Sequence, residues 1–197
     1  MSVERILNSV QSRLNGGVLE DFARAELLDV TENYFEKTCA WRESIDVTFR
    51  VGRRETTIPL PDTACRVIQI WYVGDNNQNL IPVPATVEGE LNTRLVQFVP
   101  PFTLRLREGR DEEFDASFVC ALTATDLDAF SDELMERHRE GLTHALLARL
   151  YAIPQRPWTS DKMMVWHSRM ERRFVSEATR QAARNYGGPL WMFPQFA

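Results

Sequence analysis

Leu19-Glu-Asp-Phe-Ala-Arg-Ala-Glu-Leu-Leu-Asp-Val-Thr-Glu-Asn-Tyr-Phe-Glu-Lys-Thr-Cys-Ala-Trp41 runs directly into Arg42-Glu-Ser-Ile-Asp-Val-Thr-Phe-Arg-Val51, and the hydrophobic period changes between the two. In the first stretch Leu19, Ala23, Leu27, Val30, Tyr34, Thr38 and Trp41 recur by threes and fours, the spacing of one helical face. The spacing predicts a long helix over Leu19–Trp41, with Phe22 and Phe35 widening its apolar side. In the second stretch Ile45, Val47, Phe49 and Val51 alternate with polar residues, as in a strand buried on one face. A helix that hands over to a sheet in this way sets the class as α+β.

Working outward, Val3, Ile6, Leu7, Val10 and Leu14 predict a shorter first helix, with Ser2 as its cap and Asn15-Gly16-Gly17 as its stop. Beyond Gly52 a series of short strands is expected at Thr56–Leu60, Cys65–Val73, Leu80–Val83, Arg94–Val99, Thr103–Arg107 and Phe114–Leu122. The turn formers between them point to an antiparallel sheet folded into a small sandwich or open barrel. Helical spacing resumes after Asp126, with Ser131 as N-cap and Asp132, Glu133 and Glu136 at the positive end of the helix dipole. Gly141, Ala145, Ala148 and Ala152 form a smooth stripe, suited to close packing inside a helical bundle or to a seam between subunits. Pro154 and Pro157 end that helix, and Thr159 or Ser160 caps the next. Its inward face reads Met163, His167, Met170, Phe174, Ala178 and Ala182. The expected plan is a helical bundle with an inserted antiparallel β domain and an extended C-terminal arm. Its segments are 1–44 (N-terminal helices), 45–125 (β domain), 126–185 (C-terminal helices) and 186–197 (arm).

The chain is 197 residues long and 44% hydrophobic, enough for one good core and a smaller appended sheet. No apolar run approaches membrane-spanning length, and no charged n-region precedes an apolar stretch at the start. A soluble, cytoplasmically made protein is the expectation. Cys39, Cys65 and Cys120 are odd in number and widely spaced, which suits reduced, buried thiols better than disulfides or a zinc site. The net charge of −5 is uneven: from Ser131 onward ten Lys+Arg meet seven Asp+Glu, leaving thirteen against twenty-one before it. An acidic chain argues against general nucleic-acid binding, which needs a clustered basic surface.

Sites for chemistry are sparse. A Gly-x-Ser-x-Gly elbow, a phosphate-binding Gly-x-x-x-x-Gly-Lys loop, Gly-x-Gly-x-x-Gly, His-Glu-x-x-His and paired Cys-x-x-Cys are all absent from the sequence. Glu140 and His144 are spaced to share a metal, although a solvent-facing hydrogen bond explains His144 as well. His167 falls on the apolar stripe and reads as a satisfied core residue. Cys120 with a distant histidine is the one conceivable nucleophile–base pair, in a strand context that reads as packing. Arg169, Arg173, Arg180 and Arg184 draw a basic line along the last helix, either a solvated face or a channel or subunit-seam contact.

The segment Tyr186-Gly-Gly-Pro-Leu-Trp-Met-Phe-Pro-Gln-Phe-Ala197 carries four aromatics and no charge, and its glycines and prolines forbid a helix. It reads as a docking arm, with Tyr186, Pro189, Leu190, Trp191, Met192, Phe193, Pro194 and Phe196 as its contacts; the alternative is that it folds back over its own core. Burial of its large side chains is worth on the order of 10 kcal/mol. Ordering the backbone costs a comparable amount, at about 1–2 kcal/mol per residue. One arm then binds weakly, and many presented together bind firmly.

The order of signals resembles a known family. Glu26-Leu-Leu-Asp-Val-Thr-Glu-Asn-Tyr-Phe35 precedes a strand, then come Val51-Gly-Arg-Arg-Glu-Thr-Thr-Ile-Pro-Leu-Pro61 and Arg66-Val-Ile-Gln-Ile-Trp-Tyr72. After the sheet follow Glu140-Gly-Leu-Thr-His-Ala-Leu-Leu-Ala-Arg-Leu-Tyr151 and Arg169-Met-Glu-Arg-Arg-Phe174. From Val18 to Asn185 this pattern is similar to the head–tail adaptor (connector or tail-tubular) proteins of tailed bacteriophages. The resemblance implies a structural virion protein at the head–tail junction, made in the bacterial host cytoplasm, with neither catalysis nor cofactor. It implies a ring of neighbouring adaptor subunits, commonly a dodecamer, beneath the portal protein. The arm would dock on the portal, tail or nozzle proteins would bind the other end, and genomic DNA would pass through the channel without sequence preference. The alternatives are a small hydrolase using Cys120 or a histidine, and a DNA-binding accessory protein using the arginine line.

Overall fold

A computed structural model describes residues 2–14, 17–74, 81–84, 95–106 and 111–184. The protein is α+β, with helices and mostly antiparallel sheets. It divides into two compact units: a helical unit of residues 1–40 and 130–197, and a β unit formed by the single run Trp41–Ala129.

In the helical unit, α1 (Ser2–Gln11) buries Ile6, Leu7 and Val10. Ser2 does not act as a side-chain cap. Its amide donates to Asp132 Oδ1 (2.9 Å) and its hydroxyl to the Asp132 carbonyl (3.0 Å), so a carboxylate from far along the chain satisfies an unpaired amide of the first turn. Helix α2 (Glu20–Thr38) buries Ala23, Leu27, Val30, Tyr34 and Phe35. It stops before Trp41 because Cys39 takes a left-handed conformation (φ 48°) and its amide closes on the Phe35 carbonyl at 2.9 Å. Cys39 is therefore a half-exposed C-cap and not a buried thiol. Leu19 and Phe22 also depart from the expected stripe, being 82% and 39% exposed.

The expected long helix after Ser131 is two. Ser131 Oγ accepts the Leu134 amide (3.2 Å) and starts α3 (Asp132–Arg137), as its residue type predicts. His138 (φ −104°, ψ 8°) interrupts the helical backbone, and α4 (Arg139–Tyr151) follows. The buried ring of His138 is held by the Tyr34 hydroxyl at 3.3 Å from Nδ1, and it packs edge-on against Phe35. Helix α4 lies at the centre, with Leu142, Leu146, Leu147 and Leu150 fully buried. Gly141, Ala145 and Ala148 of the small-residue stripe are buried inside the unit, whereas Ala152 is exposed; a Cβ on Gly141 would stand 2.9 Å from both Cε2 and the hydroxyl of Tyr34, and 3.1 Å from Phe174 Cβ. Tyr151 ties α4 to the end of α1 by donating its hydroxyl to the Arg13 carbonyl (3.0 Å). Arg149 joins α4 to α2 through Glu26 and Asp29.

The chain then turns at residues 152–160. Ser160 is the residue that caps α5 (Asp161–Arg184), accepting the Met163 amide; the Thr159 hydroxyl instead closes the turn on the Ile153 carbonyl. His167, Ala178 and Ala182 are the buried residues of α5.

The β unit contains two sheets. One is antiparallel, in the order β1 (Arg42–Phe49), β7 (Phe114–Ala124), β3 (Cys65–Gly74). Ile45, Val47 and Phe49 are its buried alternation, with Phe49 stacked on Phe114 across the pair at 4.8 Å. Trp41 belongs here, its carbonyl accepting the Leu122 amide (2.9 Å). The other sheet runs β2 (Glu55–Thr57), β6 (Thr103–Leu106), β5 (Leu95–Val99), β4 (Ile81–Pro84). Here the all-antiparallel expectation is corrected, because β4 and β5 are parallel. A parallel pair cannot be joined by a tight hairpin, and ten residues separate these two strands in the sequence. Pro82 and Pro84 lack the amides a central strand needs, which confines β4 to the edge it occupies.

Candidate interaction surface

Met163-Met-Val-Trp166 places four apolar residues in succession at the start of α5. At about 100° per residue they cannot all face inward. Met163 was expected on the inward face, yet it is 37% exposed, beside Val165 at 43% and Trp166 at 48%. Together with Asp161, Lys162 and Arg169 they line an open groove of ≈ 630 Å³.

Trp166 stands on a buried polar pair. Its ring meets His167 and His144 edge to face, with centroids 4.6 and 5.3 Å away. His144 Nδ1 and His167 Nδ1 lie 2.8 Å apart, so one ring donates and the other accepts. His144 is thus buried and paired, correcting the solvent-facing and metal-sharing readings; Glu140 is not its hydrogen-bond partner. His167 is the satisfied core histidine that its position suggests. Phe174 stacks on His144 and Tyr151 on His167, enclosing the pair in aromatic faces. Burial pushes His167 down to about 4, helped by the neighbouring His144 and Arg13. The same desolvation lowers His144, reinforced by Arg13 and opposed by Glu140. His138 is likewise driven down to about 4 by burial and then by Arg137. Tyr34 is raised to about 12 by burial, then by the charges of Glu177 and Glu171, so its phenol proton is available to the neutral His138 ring. Neutral, partnered imidazoles hold the packing together and are poorly placed for proton transfer with solvent. Among the described residues no group of three or more His, Cys, Asp or Glu side chains could hold a metal.

Cys120 lies fully buried on β7, and desolvation alone lifts its thiol to about 12. A nucleophilic thiolate requires the opposite shift. Arg169, Arg173, Arg180 and Arg184 are all exposed along α5, the geometry of a solvated face. A second concavity gathers Arg5, Arg13 and Arg139 near Thr143. Arg5 and Arg139 share Glu136 (3.7 and 3.1 Å), and Glu140 lines the same space, so the local field favours anions only weakly. The arm residues Tyr186, Pro189, Leu190, Trp191, Met192, Phe193, Pro194 and Phe196 lie outside the described residues.

Sequence reading passed over the Trp166 surface because it assigned residues one face at a time. The signal was the unbroken apolar run itself. No helix among the described residues is long and apolar enough to cross a membrane. No protein-family model matches the chain, and no curated protein matches it.

Proposed function

We propose that this chain is a head–tail adaptor of a tailed bacteriophage: a structural protein that forms a ring between portal and tail, docks its C-terminal arm on the portal, and lets DNA pass through the central channel. The observation that carries the reading is the architecture, taken with the ordered sequence resemblance. Helices from both ends of the chain build one unit around α4, and the whole β unit is inserted between them at residues 41–129. The chemistry of the arm adds to this. Leu190, Trp191, Phe193 and Phe196 offer apolar anchors that a symmetric partner would bind many times over. The fully buried Cys120 thiol, raised by desolvation, and the buried, mutually hydrogen-bonded His144 and His167 weigh against the hydrolase alternative.

The test is a chain lacking Tyr186–Ala197, added to portal-bearing particles beside the intact protein. The truncated chain is expected to fold with an unchanged circular dichroism spectrum and to fail to join the particles. Incorporation at the level of the intact protein would reject arm docking.

A further inference from the structure

We propose that the helical units of two copies of this chain meet head to tail, the start of α2 on one copy docking against the start of α5 on the next. At the first site, Leu19, the N-cap residue of α2, and Phe22 in its first turn are exposed, flanked by the exposed carboxylates of Glu20 and Asp21. At the second, Met163, Val165 and Trp166 are flanked by the exposed cations Lys162 and Arg169. Asp161 also lines that groove, which remains net positive. Glu20, Asp21, Lys162 and Arg169 form no ion pair with one another or with other residues among those described. Each site thus joins large exposed apolar side chains to uncommitted charge, and the two signs are opposite.

The complementarity identifies the occupant. An apolar patch with a negative rim fits an apolar patch with a positive rim, since opposite rims steer the encounter and fix its register. Trp166 has the character of an anchor, because the buried His144–His167 pair beneath it restrains the ring and little freedom remains to be lost. The contact is heterologous, using two different surfaces of each copy, and such contacts propagate into rings or filaments. A handful of side chains on each side falls short of the ~1,200 Å² of a stable pairwise interface, so two copies bind weakly and a closed ring gains from repetition. For its setting the inference rests on the ring proposed above; the contact itself needs only a second copy.

The test uses the full-length protein in sedimentation experiments from micromolar to millimolar concentration. Wild type is expected to associate as concentration rises. The E20K/D21K and K162E/R169E variants, whose altered residues are exposed, are each expected to associate about tenfold more weakly, because both charges at a contact then repel. An equimolar mixture of the two variants is expected to recover wild-type association, since every contact in an alternating chain again pairs opposite signs. The proposal is overturned if wild type stays monomeric at millimolar concentration, if either variant associates as wild type does, or if the mixture stays as weak as its components. Variants that associate as wild type does, with the intact protein still joining portal-bearing particles, would reject this contact and leave the adaptor reading standing. Recovery in the mixture, with wild type failing to join such particles, would do the reverse.

Discussion

His144 and His167 face each other Nδ1 to Nδ1 at 2.8 Å within the helical unit, and that arrangement exists only while at least one ring is neutral. Protonating both would bring two N–H groups head on. Both rings, and His138, titrate below their ordinary value of 6.5 in the folded protein. The unfolded chain therefore binds protons first on acidification. Stability is complete above 6.5 and is lost progressively as pH falls toward about 4. Urea unfolding across that range should show a midpoint that drops with pH, and the His138→Gln variant should show a smaller drop. A midpoint independent of pH between those limits would contradict the assignment.

Gly141 lies where α4 comes closest to its neighbours. Replacing glycine by alanine within a helix ordinarily gains about 1 kcal/mol. Here the added methyl would lie 2.9 Å from Tyr34, whose hydroxyl is engaged by His138, and 3.1 Å from Phe174 Cβ. Overpacking should outweigh propensity, and Gly141→Ala should lower stability by about 1–3 kcal/mol. In a Tyr34→Phe background, with one of the close atoms removed, the same substitution should cost less. A thermal or urea titration of the four proteins measures this; a stabilising Gly141→Ala would mean the helices separate freely.

Thiol reactivity should rank with exposure. Cys39, half-exposed at the end of α2, is expected to alkylate first in the native protein, whereas Cys65 and Cys120 react only on unfolding. Peptide mapping after brief treatment with iodoacetamide reads the order. Rapid native labelling of Cys120 would restore the case for a nucleophile there.

Phe35 is fully buried, stacked on Phe130 at 5.4 Å and set edge-on to Tyr34 at 5.6 Å. Phe35→Ala should destabilise the helical unit by about 3–5 kcal/mol. The loss would be read as a lowered urea midpoint for the helical signal.

Much of this architecture was legible because period reports burial. The change from spacing by threes and fours to alternation marked the passage from α2 to β1, and the cap at Ser131 was readable from residue type alone. The misreadings share a cause: tertiary context decides what a one-dimensional stripe leaves open. Leu19 and Phe22 fit a helical face, but nothing in the sequence says where the core beside that face ends. Trp41 fits the same stripe, and only the left-handed turn at Cys39 moves it onto the sheet. The neighbourhood of His144 depends on a residue twenty-three positions away, a pairing that no local spacing encodes. The parallel partnership of β4 with β5 is equally non-local.

The inserted arrangement of the two units also bears on synthesis. The β unit is one uninterrupted run, so it can close on itself while α3, α4 and α5 are still being translated. The helical unit has no such freedom. Ser2 waits for Asp132, and Arg13 waits for Tyr151, each partner lying more than a hundred residues downstream. During that interval the apolar sides of α1 and α2 have no α4 to cover them. A nascent chain is therefore at its most vulnerable to proteases and chaperone capture after the sheets have formed and before Tyr151 leaves the ribosome.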